Sequence, residues 1–183
     1  MTIAAHSLVL MILPLSLLYA AASDLHRYII PNTASLALIA GAAVCLPLAV
    51  FISPEFGWAQ VSEHLLTGLA CFALGFAFFA LGLWGGGDGK LLAAAALWFD
   101  WPTVIDFVLA TTLAGGALGL LVMLVSFLSD NIHWIPGLHR CFKQIDWARR
   151  KVDAPYGVAI AIGALWAFPS TDLFHALTLT PLQ

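Results

Sequence analysis

With 183 residues, 62% of them hydrophobic and only 9% charged, and a mean hydropathy of +0.97, the chain is too apolar for a soluble globular domain and reads as an integral membrane protein. Its formal net charge of −3 says little about partners, and no basic stripe interleaved with aromatics occurs, so nucleic acid is excluded as a ligand. Three scattered cysteines, Cys45, Cys71 and Cys141, form no Cys-x-x-Cys pair, and the histidines are dispersed without metal-ligand spacing, so no metal, cofactor or disulfide framework is expected.

In chain order, apolar runs of span length predict helices near 4–22, 33–52, 62–84, 89–101, 103–128 and 155–169. This is an all-α polytopic membrane bundle of about six spans, built as one transmembrane domain over 1–183. Ala20-Ala21-Ala22 mimics the cleavage site of a secretory signal, but no Lys or Arg precedes the run and its length suits a span, so it is expected to stay as the first helix. The fourth and sixth runs are short, ending at Asp100-Trp101-Pro102 and at Pro169 with Asp172.

Charge placement sets the orientation. With the N-terminus outside, loops 23–32, 85–90 and 129–154 share one face and hold Arg27, Lys90, Arg140, Lys143, Arg149, Arg150 and Lys151, every cation of the chain. That face is expected to be cytoplasmic, and Glu55, Glu63, Asp100, Asp106 and Asp172 fall on the other. The basic segment 129–154, with Trp134 and Trp147, is expected to lie along the interface against anionic lipid headgroups.

Two acids then stand out. Asp24 closes the first apolar run and Asp88 sits in Gly85-Gly86-Gly87-Asp88-Gly89-Lys90, so both are expected at the cytoplasmic boundary, where an ionisable group is costly without a function. Two carboxylates are the minimum for an acid/base pair that activates water. The plainer alternative for Asp24 is a capped turn paired to Arg27, with Pro31 opening the next helix and Asn32 satisfying its free amides. The four glycines around Asp88 remove side-chain bulk and permit positive φ, which lets a substrate backbone approach the carboxylate; the alternative is a flexible helix break, and a phosphate loop is disfavoured because the acid would repel the ligand. Lys90 either tunes Asp88 or snorkels to the inner face. Gly115-Gly116-Ala117-Leu118-Gly119 is read as a helix-packing stripe.

Asp24 with Ile30-Pro31-Asn32, the Gly85-x-Gly87-Asp88-x-Lys90 element, and Pro155-Tyr156-Gly157-Val158-Ala159-Ile160-Ala161 together resemble the type IV prepilin peptidases, GxGD-type intramembrane aspartyl proteases, from residue 24 to about 165. The short length is similar to the compact form associated with tight-adherence (Flp-type) pili. The resemblance implies an aspartic endopeptidase of the bacterial inner membrane that removes the short basic leader of prepilins at the cytoplasmic face, just before their hydrophobic helix. It implies Asp24 and Asp88 as catalytic, with Gly85, Gly87, Lys90, Pro31, Asn32, Pro155, Tyr156 and Gly157 shaping the site. The cysteine-motif insertion of larger members is missing, so cleavage without N-methylation is expected. The runner-up is a non-enzymatic membrane subunit or a small proton- or cation-coupled transporter, against which stands the lack of any acid at mid-span. The same chemistry on another signal-anchored precursor is a further alternative.

Overall fold

A computed structural model describes residues 10–131 and 155–178. The start of the first predicted span, and the basic segment from residue 132 on, lie outside the described residues. Among the described residues every regular element is helical: α1 (Ile12–Arg27), α2 (Asn32–Ile52), α3 (Trp58–Ala80), α4 (Gly86–Ala96), α5 (Trp101–Asn131), α6 (Tyr156–Ala167), a 3₁₀ turn (Phe168–Ser170) and α7 (Asp172–Thr178). The helical membrane bundle read from composition is therefore what the chain forms.

Length and hydropathy qualify α2, α3 and the Trp101–Phe127 part of α5 to cross a bilayer, and α6 with α7, bent by 58°, qualify together as one broken span. Helix α4 has only 11 residues. At 1.5 Å per residue it covers about 16 Å, roughly half of a hydrocarbon core. Large side chains such as Phe51, Phe76 and Leu113 are exposed. In a bilayer that exposure faces lipid and carries no penalty.

Local chemistry sets the boundaries. Tyr28 adopts the left-handed conformation (φ 54°) and stops α1, while Pro31, extended at φ −71°, precedes α2 and Pro155 precedes α6. The hinge between α3 and α4 uses Gly82 at φ +69°, which a glycine tolerates without cost. Two expectations change here. The third helix ends at Ala80 rather than near 84, and the glycine run does not break the chain but opens α4, so Asp88 lies in the first turn of α4 and not at the end of the preceding span.

Helix α6 is the hub, packing on α5, α1 and α4. Its buried Ala159, Ile160, Ala161 and Ala164 present little bulk, as close helix approach in lipid requires. Helices α3 and α4 meet backbone to backbone: a Cβ added at Gly75 would fall 2.8 Å from the Gly89 Cα. At the opposite end of the bundle from the glycine hinge, fully buried His64 of α3 has Nδ1 3.1 Å from the Leu97 carbonyl and Nε2 2.9 Å from Asp172 Oδ1. Thr67 Oγ1 reaches the Ala96 and Phe99 carbonyls, and Trp98 Nε1 donates to the Leu38 carbonyl at 3.0 Å. His64 and Thr67 of α3 thus satisfy carbonyls at and just past the end of α4, and the Trp98 indole ties the same turn to α2.

Candidate active site

The last turn of α1 carries Asp24, which is only 6% exposed although it lies past the apolar run 4–22. Its Oδ2 accepts the Gly157 backbone N–H at 2.7 Å. Gly157 is the second residue of α6, so this amide belongs to the first turn, whose N–H groups have no partner within their own helix. The carboxylate of α1 thus caps α6 from outside, on the positive end of its dipole. Glycine is required at that point, because a Cβ on Gly157 would lie 2.8 Å from Asp24 Oδ2 and 3.1 Å from Asp24 Cβ. Burial raises the Asp24 carboxyl above its ordinary value, and the Gly157 hydrogen bond acts the other way with smaller effect. The alternative of a surface Asp24–Arg27 pair is not what forms: the carboxylate is buried and accepts the α6 amide, and Arg27 stands exposed on the wall of the cleft.

Asp88 occupies the third position of α4, where its Oδ2 accepts the Gly85 N–H at 3.2 Å and so closes the helix start. None of Gly85, Gly86, Gly87 and Gly89 has positive φ, so of the two properties expected of the glycines the fold uses the lack of side-chain bulk. They permit close approach. A Cβ on Gly87 would sit 3.3 Å from the Ile30 Cβ, one on Gly86 would be 3.4 Å from the Phe79 ring, and Gly89 rests on the backbone of Gly75.

Both aspartates open on one cleft of about 1040 Å³ between the α1–α2 connection, the α3–α4 hinge, Gly119 to Met123 of α5 and the start of α6. Arg27, Asn32, Gly85, Gly87, Lys90 and Tyr156 also line it. Pro31, Pro155 and Gly157 stand behind the wall, the two prolines at helix starts and Gly157 holding Asp24. Asn32 is the first residue of α2 and provides no side-chain cap there, contrary to the role expected for it. The Tyr156 ring packs against Trp84 at 5.4 Å, which in turn meets Phe78 edge-on at 5.0 Å. Gly115 of the small-residue stripe makes room for this, since a Cβ there would be 3.0 Å from the Tyr156 ring.

Trp84, Tyr28 and Met123 complete the wall and were not singled out in the sequence. Trp84 had one available signal, its place beside the glycine element. Met123 had none, being one more apolar residue in a long apolar helix. Two carboxylates in the cleft stand with two cations, Arg27 and Lys90. Among the described residues no three His, Cys, Asp or Glu side chains converge as a metal would need.

No match to the chain was found among the curated proteins or the solved structures. The model of the type IV leader peptidase family matches residues 11–120, a stretch that contains both aspartates and the whole glycine element. The matched stretch is more than half of the chain, and the chain belongs to the type IV leader peptidase family.

Proposed function

We propose that the chain is an aspartic prepilin peptidase of the bacterial inner membrane, which cuts the short leader from type IV or Flp-type prepilins at the cytoplasmic face. The observation that carries this reading is the convergence of Asp24 and Asp88, from two helices far apart in sequence, on one cleft. Its mouth also holds Arg27 and Lys90, cations that favour the inner face.

Two carboxylates sharing a site favour a single proton between them. Burial favours that proton on Asp24, and Asp88, which accepts the Gly85 amide and is less buried, serves as the base. In the first step Asp88 takes a proton from a water whose oxygen attacks the scissile carbonyl carbon, while Asp24 gives its proton to the carbonyl oxygen. The resulting diol collapses in the second: the C–N bond breaks, Asp88 passes its proton to the leaving amine, and a diol hydroxyl returns one to Asp24. The pair ends as it began, and no covalent bond to the protein forms.

The test is leader removal from a prepilin by the purified chain in liposomes across a pH range. Activity rises as Asp88 ionises and falls once Asp24 loses its proton. Because burial raises the Asp24 carboxyl, the alkaline limb lies above the usual range of a carboxylic acid, about 4. Cleavage is expected to survive chelators; loss with a chelator, restored by added metal, contradicts the two-acid mechanism.

A further inference from the structure

A second cavity of about 560 Å³ opens between α2, α3 and α4. Asn32 and Lys90 border both it and the catalytic cleft, so the two are continuous at that edge. Beyond them the character changes. The walls are Leu36 and Ile39 of α2 with Leu69 and Phe72 of α3, all exposed, and the floor is narrow at Ala93. From Asn32 to Ile39, and likewise from Lys90 to Leu97, each helix runs seven residues away from the aspartates. At 1.5 Å per residue the groove is about 10 Å long, close to two helical turns.

We infer that this groove seats the apolar segment that follows the scissile bond of the precursor, an inference that rests on the leader-peptidase reading above. A chain leaving the aspartates past Asn32 and Lys90 enters it directly. In a bilayer, burying apolar surface gives helices no hydrophobic gain over lipid, and association depends on close packing. Ala93 permits it, since only a methyl group stands there between an occupant and the floor. Lys90 marks the boundary, with an aliphatic stem suited to the groove and a charged tip suited to the cleft. The cut thereby falls at a fixed place, where the apolar segment meets the polar cleft.

The probe is a synthetic precursor with a basic leader and an apolar segment of about 20 residues, placed with the D88N chain in phosphatidylglycerol-containing vesicles. A benzophenone amino acid at position 36 or 72 is expected to form adducts with the precursor on illumination, and one at position 109 or 113, exposed on α5, is not. Adducts only on α5, or only lipid or a second copy of the chain at 36 and 72, overturn the inference. In the active chain Ala93→Phe fills the groove. It should lower kcat/KM for the full precursor about tenfold, while a peptide ending a few residues after the scissile bond is cut as before. An equal effect on both substrates, or on neither, contradicts the inference. Wild-type cleavage without groove adducts removes the groove and leaves the peptidase reading intact, whereas no wild-type cleavage of either substrate removes both.

Discussion

At the scale of single residues, the contact between Gly157 and Asp24 joins packing to chemistry. A methyl group at Gly157 cannot coexist with the carboxylate where it stands, so Gly157→Ala must displace Asp24 or α6. Overpacking of this kind costs about 1–3 kcal/mol, and the expected outcome is roughly a tenfold loss of kcat with KM little changed. The pH profile separates positioning from general damage. The Gly157 amide favours the ionised carboxylate, so weakening it raises the Asp24 carboxyl further and moves the alkaline limb of activity upward. A reduced rate with an unmoved limb would make Gly157 a packing residue only. Asp24 and Asp88 were legible as a pair because an acid at the end of an apolar run is rare, and the glycines mark the second one. The Gly157 bond was not legible, since it depends on how α1 lies against α6 and no local pattern encodes that.

Among elements, α2 and α5 follow the apolar runs closely: the expected 33–52 and 103–128 became Asn32–Ile52 and Trp101–Asn131. The start of α3 at Trp58 was hidden by Gln60, Ser62 and Glu63, which weaken the apolar signal without opposing a helix. The start of α4 was hidden for a different reason. Glycine is a poor helix former, and only tertiary contacts at Gly75, Phe79 and Ile30 with the Asp88 cap make Gly86–Gly89 helical. Helix α7 is too short to read in advance and is held by Asp172, which meets His64. Both nitrogens of fully buried His64 face acceptors, so His64→Ala removes two bonds to part-buried partners and leaves a hole where the ring stood. His64→Ala should therefore destabilise the bundle by about 1–3 kcal/mol, seen as earlier thermal unfolding in detergent. The folded fraction should still cut a short leader peptide, because neither His64 nor Asp172 lines the cleft. Unchanged unfolding would show that α7 is not anchored through this pair.

On the scale of the whole molecule, the placement of charge makes a topological claim. Arg27 and Lys90, the two Lys or Arg side chains among the described residues, both border the cleft. In a background with Cys45, Cys71 and Cys141 replaced, single cysteines at positions 27 and 90 should resist a membrane-impermeant thiol reagent added from the periplasmic side. They should react once the cytoplasmic side is opened. Labelling of either from outside contradicts the proposed orientation. The distribution of Lys and Arg predicts an orientation, whereas the merging of two loops with α5 and the start of α6 into one cleft was not legible, because it requires α6 to sit between α1 and α5.

The central claim is that Asp24 and Asp88 act as one acid/base unit, and the most direct measurement is leader removal by D24N and D88N chains that still insert and accumulate. One acid cannot both take and give the proton, and general acid/base catalysis contributes about 10²–10⁴-fold. Each substitution alone should therefore lower the cleavage rate at least about a hundredfold, and the double variant should be little worse than either. Near-wild-type cleavage by D24N or D88N would contradict the account.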